Sequence, residues 1–435
     1  MTAGFLAMMS YLVSGAIGFC ALRVFLKNSR CPGSLLLFLA PGAGLFISSF
    51  LLYFDLYFFH RISRELAIAA HLFLLVMLWG AYRNTKREPA AMKEGVVFFA
   101  ILSAAALLLL AVMLKSPFGT GLDVWAIWKI KARFIYHAAD WRAIFAPGLR
   151  FSHPDYPLFY PLALVWAWLF AGRETAAAAF LLAFMMTLCL VGLVMAAAAR
   201  YGRRSAWVSG LFLISIPHFI GMGGSQYADI PVAYFFTAAI VSMDMALCGE
   251  DARWAMVSGA FAGMSGFVKN EGLLFFAAFC LSLALFTERR FLFAMAKGGL
   301  LFLAFTVFFK LSTFSPNHML RPEAISRLTA EEILSRLGTV FSFFAAEIRK
   351  ENSWAYAWPV FGVLAVFFRR EIFGRDKIWI PLTVFFLNAG YAGVYCLTAL
   401  NLPTQLAVSL DRLMIQSFPV LTYFFLTRAP FVRDA

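Results

Sequence analysis

Long apolar runs alternate with short polar connections along most of the chain. Many of the runs approach the roughly 20 residues that an α-helix needs to cross a bilayer, and they lack the alternating polarity of barrel strands. The candidate spans are 4–26, 33–53, 65–82, 95–114, 157–171, 175–199, 206–221, 229–247, 254–268, 271–287, 291–312, 354–368, 378–398 and 412–427. We therefore predict an all-α polytopic integral membrane protein of about 12–14 transmembrane helices.

The distribution of lysine and arginine predicts the orientation of these helices. Basic residues concentrate in connections 27–30, 83–93, 200–204, 289–290 and 369–377 and in the tail from Arg428. The positive-inside rule places these connections in the cytoplasm. Counting crossings from them places the N-terminus and the loops 115–156, 222–228, 268–271, 313–353 and 399–411 together on the outer face.

One segment does not fit this alternation. Between the outer loop 115–156 and the inner connection 200–204 there are two apolar runs, where the orientation allows only one crossing. The run 157–171 is short and contains Pro157 and Pro161, so we predict a re-entrant or interfacial helix there.

Composition excludes several classes of protein. Of 435 residues, 62% are hydrophobic and 14% are charged, which a soluble domain could not bury. The net charge of +14 lies mainly in the short connections, so it predicts membrane orientation and anionic lipid headgroups as partners, with no nucleic acid. The six cysteines lie mostly in apolar runs without C-x-x-C spacing, which predicts neither a disulfide framework nor a metal site.

Polar side chains gather in the outer segment 119–161, GTGLDVWAIWKIKARFIYHAADWRAIFAPGLRFSHPDYPLFYP. A helix from Val124 would place Lys129, Arg133 and His137 on one stripe, suited to a membrane interface. Asp123 would stand just before its first turn, where a carboxylate can cap free N–H groups. A fixed carboxylate beside a basic stripe also suits a general base acting next to a lipid phosphate.

A second outer helix is predicted in 313–353. Thr329 and Glu332 match the capping box T-x-x-E, and apolar residues recur afterwards on one helical face.

Several of these segments together resemble a known class of enzyme. An acidic residue in the first large outer loop, the aromatic-basic helix after it, and the motifs HPDYPLFYPL and SQYADIPVAYF resemble the GT-C class of membrane glycosyltransferases, with a weaker similarity in SLDRLMIQSFP. Within that class the chain resembles bacterial family-39-like proteins, which are similar in layout to protein O-mannosyltransferases and to the lipid A aminoarabinose transferase. The resemblance covers the chain from about Gly119 through Gly272.

The resemblance implies an inverting transfer of a sugar from a polyprenyl-phosphate donor, outside the cytoplasm, with Asp123 as the base. Members of the class often carry two acidic residues at this position, whereas Val124 follows Asp123 here. Asp155 or Asp229 is then the candidate for the second carboxylate.

Other candidate residues have two open interpretations each. Lys129, Arg133 and His137 would bind the departing lipid phosphate or contact ordinary headgroups. His153, Asp155 and Tyr156 precede a proline that keeps them extended, so they would bind substrate or form structural hydrogen bonds.

The remaining candidates lie at helix ends. Asp229 is a second catalytic candidate or a helix cap, and Lys269 would pair with Glu271 or Asp229, or bind the donor phosphate. Arg412 would clamp phosphate bidentately or be neutralised by Asp411.

We therefore predict an inverting glycosyltransferase in a bacterial inner (plasma) membrane, with its site facing the periplasm or exterior and a lipid, glycan or protein as acceptor. Its expected divisions are N-terminal helices 1–114, a GT-C-like catalytic module 115–312 and a C-terminal region 313–435. No cofactor or metal is expected, although a divalent cation could assist. A transporter or flippase of lipid-linked saccharides and a non-catalytic partner in envelope polysaccharide assembly stay open as alternatives.

Overall fold

The computed structural model describes residues 2–85, 95–313, 317 and 319–432, and these contain helices and no β-strand. The helices of the first half are α1 Ala3–Phe25, α2 Gly33–Phe59, α3 Arg64–Arg83, α4 Val96–Lys115, α5 Ile130–His137, α6 Phe159–Ala171, α7 Ala177–Ala198, α8 Arg203–Ile214, α9 Pro217–Gly224 and α10 Asp229–Gly249. A π-helical turn, Val124–Lys129, runs directly into α5.

The helices of the second half are α11 Ala252–Val268, α12 Glu271–Phe286, α13 Arg289–Thr313, α14 Pro322–Ile325, α15 Ala330–Ile348, α16 Glu351–Trp354, α17 Ala357–Phe367, α18 Arg369–Ile372, α19 Trp379–Leu397 and α20 Leu402–Arg428. The capping box predicted at the start of α15 is confirmed, because the Thr329 hydroxyl accepts from the Glu332 N–H and the Glu332 carboxylate accepts from the Thr329 N–H.

Within the described residues, eight helices are long and apolar enough to cross a membrane, and the pair α8 and α9 would add a ninth. The eight are α1, α2, α3, α4, α7 extended to Tyr201, α10, α13 and α19. The all-helical, membrane-spanning class is therefore supported, while the total of about 12–14 crossings stays a prediction. Residues 86–93 of the predicted basic connection 83–93 lie outside the described residues.

Two predicted spans differ from the observed helices. The run 206–221 is broken into α8 and α9 with a bend of 71° before Pro217, as expected where proline removes a donor and crowds the preceding turn. The last helix begins ten residues before the predicted 412–427, because the Asn401 side chain caps the N–H of Thr404. Its polar first turns had the composition of a loop.

Helix α10 forms the centre of the bundle and is buried along most of its length. It packs against α7, α11 and α20. Next to it, α11 and α13 approach closely through glycine: a Cβ on Gly259 would lie 1.8 Å from the Met295 carbonyl oxygen. Close helix packing through small residues is typical of membrane bundles.

Helix α6 lies alongside the π-helical turn and α5. Trp128 and Tyr160 are 5.7 Å apart between ring centroids near one end, and Tyr136 and Trp168 are 5.7 Å apart near the other. At 13 residues, or about 20 Å, α6 is also shorter than a membrane crossing. That 157–171 is re-entrant or interfacial stays a prediction, with which this short length agrees.

Candidate functional site

Asp123 lies at the start of the π-helical turn with its carboxylate directed towards α20. Its Oδ2 accepts a hydrogen bond of 2.5 Å from Arg412 Nη1. Its side chain is 33% exposed, and Oδ1 bonds to none of the described residues. The prediction of a helix cap is wrong, because the carboxylate makes no cap hydrogen bond and is held by arginine instead.

The loop before Asp123 is tied to the loop before α10. The Thr120 N–H donates to the Ser225 carbonyl at 3.3 Å, and Gln226 Nε2 donates to the Pro117 carbonyl at 3.0 Å. These bonds bring Asp123 beside the N-terminus of α10, where Asp229 begins the helix.

Arg412 joins the two aspartates. Its Nε and Nη2 donate to Asp229 Oδ2 at 3.2 and 3.1 Å, while Nη1 holds Asp123. The Tyr227 ring covers the guanidinium, with the two centres 4.5 Å apart. The predicted neutralising partner, Asp411, instead accepts from the backbone N–H of Arg412. The Nε and Nη2 groups of Arg412, which could clamp a phosphate bidentately, are therefore occupied by Asp229 in this structure.

Asp229 is fully buried and accepts four hydrogen bonds from three side chains. Besides the two from Arg412, Lys269 Nζ and Gln416 Nε2 each donate to Oδ1 at 2.9 Å. A buried carboxylate is stable only with such partners. The helix-cap interpretation of Asp229 is therefore wrong as well, since the carboxylate is used for ion pairing.

The connection between α11 and α12 supplies the next charges. Lys269 Nζ also lies 2.7 Å from Glu271 Oε1, so both of the ion pairs considered for Lys269 are confirmed. Glu271 Oε2 is buried and has no partner among the described residues.

The segment 153–156 reaches the same cluster. Asn270 Nδ2 donates to Asp155 Oδ2 at 2.8 Å, and the other carboxylate oxygen of Asp155 is buried without a partner. The Tyr156 ring stacks on His153 at 5.1 Å, and Lys269 Nζ lies 5.7 Å from its centre. Asp155 and Tyr156 thus reach the cluster as expected, but the prediction that the segment is extended is wrong, because the Tyr156 N–H donates to the His153 carbonyl at 2.9 Å and closes a turn.

Among the described residues, three lysines near the cluster donate only to neutral oxygens. Lys310 donates to the Asp155 backbone carbonyl and to Asn270 Oδ1, Lys131 donates to the His153 carbonyl at 2.5 Å, and Lys129 donates to the Phe118 carbonyl at 2.7 Å. Burial lowers the pKa of Lys131 to about 7, although the Asp155 carboxylate opposes the shift. Burial, reinforced by the Arg133 cation, lowers the pKa of Lys129 to about 8.

The predicted basic stripe is split. The π-helical turn ends at Lys129, which contacts Phe118 and the Trp125 ring. Arg133 and His137 lie on α5 and share Glu174, at 2.7 and 3.3 Å. Their hydrogen bonds are with Glu174, and neither residue bonds to Asp123 or Arg412.

Several members of the cluster were missing from the sequence prediction. Tyr227, Asn270, Lys310 and Gln416 all bond to or lie over its predicted members. Lys310 and Gln416 could have been noticed, because a charged or amide side chain within an apolar helix is costly unless it is paired. Tyr227 and Asn270 lie in short connections and gave no such signal.

A second buried ionic cluster lies at the other end of α10. Asp244 pairs with Lys377 at 2.6 Å and Arg200 at 3.5 Å, and accepts from the hydroxyls of Tyr201 and Tyr423. The lysine and the arginine belong to connections predicted on the cytoplasmic side. The two clusters therefore mark opposite ends of the bundle.

In the described part of the chain, no three His, Cys, Asp or Glu side chains are grouped so as to hold a metal ion. Comparison of the chain with protein-family models, with curated proteins and with solved structures gives no match.

Proposed function

We propose that the chain is an inverting membrane glycosyltransferase that uses a polyprenyl-phosphate-linked sugar and has Asp123 as its general base. One observation carries this proposal: the Asp123 side chain is 33% exposed and its Oδ1 bonds to no described residue, while its Oδ2 is held by Arg412. A general base needs a free lone pair in a fixed direction. The sequence resemblance described above supplies the reaction class.

The proton and electron movements follow from this placement. Asp123 Oδ1 takes the proton of an acceptor hydroxyl as that oxygen attacks the anomeric carbon of the donor sugar. The new C–O bond forms on the face opposite the phosphate, the bond from the anomeric carbon to the phosphate oxygen breaks, and its electron pair leaves with polyprenyl phosphate. The configuration at the anomeric carbon is inverted.

Arg412 is assigned an orienting role in this reaction. Its guanidinium is engaged by Asp123 and Asp229, so it would hold the base and offer only its remaining N–H groups to phosphate. Lys310 bonds no carboxylate among the described residues and lies beside Asp155. Lys310 and Lys269 are the cations we assign to the developing phosphate charge.

The broader setting belongs to the same proposal. The site loops share one end of the bundle, which we place outside a bacterial inner membrane, in a GT-C-like fold of about 12–14 crossings. Lys129, Arg133 and His137 would then contact lipid headgroups at the rim.

The test is turnover by purified protein in nanodiscs. Polyprenyl-phosphate sugars are supplied with a total membrane lipid extract as acceptor, and release of polyprenyl phosphate is measured. Asp123→Asn should lower release by about 10²- to 10⁴-fold, while Asp140→Asn in the same loop should leave it unchanged. Full turnover by Asp123→Asn, or use of nucleotide sugars instead, would overturn the proposal.

A flippase of lipid-linked saccharides is the second candidate. It is favoured by the 71° break between α8 and α9 and by the ionic clusters at both ends of α10, since transporters often use broken helices beside buried charges. Reconstituted protein would then move a fluorescent lipid-linked saccharide between leaflets without cleaving it.

A further inference from the structure

Tyr227 lies at the edge of the site, in the connection before α10. Its ring covers Arg412, and its side chain is partly exposed. The hydroxyl makes no hydrogen bond to any described residue. Burial, followed by the charge of Asp123, raises the pKa of the phenol, so the hydroxyl keeps its proton and can donate.

Gly121 makes room for this hydroxyl. A Cβ on Gly121 would lie 2.3 Å from the Tyr227 hydroxyl oxygen and 3.6 Å from the ring carbon that bears it. The backbone at Gly121 has φ of +79°, which also favours glycine. The loop that leads to Asp123 is therefore shaped around the hydroxyl group and not only around the ring.

Asp411 supplies another polar group on the same rim. Its side chain is 34% exposed, Oδ1 accepts from the Arg412 N–H at 2.8 Å, and Oδ2 lies 3.8 Å from His218 Nε2. His218 in turn stacks near Trp354, with ring centroids 4.9 Å apart. The Asp411 carboxylate is thus held at the surface of the site by a backbone hydrogen bond, without an ion pair to the Arg412 guanidinium.

The charge around Tyr227 is predominantly negative. Asp229 is compensated by Lys269 and Arg412, so this negative charge comes from the partly exposed carboxylates of Asp123 and Asp411, against the Arg412 guanidinium that Asp123 and Asp229 share. An anionic group placed there would be repelled, whereas hydroxyl groups could donate to the carboxylates and accept from the phenol. Lys131 and Lys310, which bond neutral oxygens, lie around 153–156.

We propose that Tyr227 and Asp411 form, with Asp123, a subsite for an uncharged, polyhydroxylated group of the acceptor. This inference rests on the proposed function, because the hydroxyl to be deprotonated must lie against Asp123 Oδ1. Tyr227 and Asp411 bind the neighbouring hydroxyls and so fix which one reaches the base. The phosphate of the donor stays on the lysine side.

Binding is tested without turnover by saturation-transfer NMR on protein in nanodiscs free of sugar detergents. The probes are methyl glucoside, methyl mannoside and methyl galactoside, with glucose 6-phosphate as the anionic counterpart. At least one methyl glycoside should give a signal stronger than the phosphate, reduced threefold or more in Tyr227→Phe and in Asp411→Asn. Asp140→Asn, a matched surface aspartate, should keep the full signal. Absence of any glycoside signal, a stronger phosphate signal, or full binding by both variants would overturn the subsite.

A double variant tests the position of the hydroxyl. Gly121→Ala should reduce the glycoside signal threefold or more, because the new methyl group displaces the Tyr227 hydroxyl. Gly121→Ala should reduce binding less in Tyr227→Phe than in the wild type, because the clashing oxygen is absent and only the backbone strain at φ of +79° remains. Gly148→Ala, which meets open space in the same loop, is the control. Full binding by Gly121→Ala, or a double variant far below both single ones, would refute this geometry.

The two proposals fail in different ways. Glycoside binding through Tyr227 without release of polyprenyl phosphate from any donor would remove the transferase and leave the subsite. Turnover that is undiminished in Tyr227→Phe and Asp411→Asn would remove the subsite and leave the transferase.

Discussion

Replacing Asp229 with asparagine should destabilise the protein strongly. The carboxylate accepts four hydrogen bonds, two from Arg412 and one each from Lys269 and Gln416, at a position with no exposed surface. An asparagine oxygen can accept about two of them, and its amide would face the other donors. Two lost bonds to charged groups correspond to about 3–6 kcal/mol. Removing one partner of a buried ion pair costs about 3–5 kcal/mol, in agreement.

The free energy of unfolding can be measured by SDS titration in mixed micelles, followed by tryptophan fluorescence. We expect Asp229→Asn to lower it by about 3–5 kcal/mol. Asp251→Asn is the control: its side chain caps the Arg253 N–H at 3.0 Å, and asparagine caps a helix as well as aspartate does.

A second substitution distinguishes the ion network from simple loss of packing. In Asp229→Asn, Lys269 loses one of its two carboxylate partners and keeps Glu271, so adding Lys269→Met should cost less than it does in the wild type. The loss of unfolding free energy in the double variant should therefore be smaller than the sum of the two single losses by about 1–3 kcal/mol. A loss below about 1 kcal/mol for Asp229→Asn, or strict additivity of the pair, would refute the network as a source of stability.

Three further predictions concern the remaining structure. The pKa of Lys131 is lowered from 10.5 to about 7, so between these pH values the unfolded chain binds a proton that the folded chain lacks. The free energy of unfolding should therefore rise with pH in this range by up to about 1.4 kcal/mol per pH unit. Lys131→Met should flatten the dependence of melting temperature on pH. Gly259→Ala should lower the free energy of unfolding by about 1–3 kcal/mol, since its Cβ would strike the α13 backbone, whereas Gly249→Ala should not. In membrane vesicles, a thiol reagent that does not cross the bilayer should label Glu174→Cys and Arg375→Cys from opposite faces, and labelling from the same face would contradict the path assigned to α6.

The helices could be predicted because the signal for each is local. Run length and hydropathy placed α10 from 229 to 247 and α12 from 271 to 287, against observed ends at Gly249 and Phe286. The start of α20 was missed because its polar first turns resemble a loop. The π-helical turn before α5 was also missed, since no residue pattern marks the extra residue in such a turn.

The candidate site was predicted only in part, and the limit is long-range pairing. The predicted loop positions alone place Asp123, Asp155, Asp229 and Arg412 at the outer face of the membrane. They could not assign partners, because Arg412 and Asp123 are 289 residues apart in the chain. The Asp123 carboxylate was therefore interpreted as a helix cap, although it binds the guanidinium of Arg412, which lies far away in the sequence.

The position of α6 has a consequence for biogenesis. Too short to partition into the bilayer on its own, this helix depends on a niche built largely by α1, α2 and α5, all of which leave the ribosome before it. The niche can therefore be assembled by the time α6 is synthesised, and α6 can settle against folded protein instead of waiting for the C-terminal half. The order of the helices in the sequence therefore allows α6 to pack during synthesis, because most of the helices that it contacts precede it.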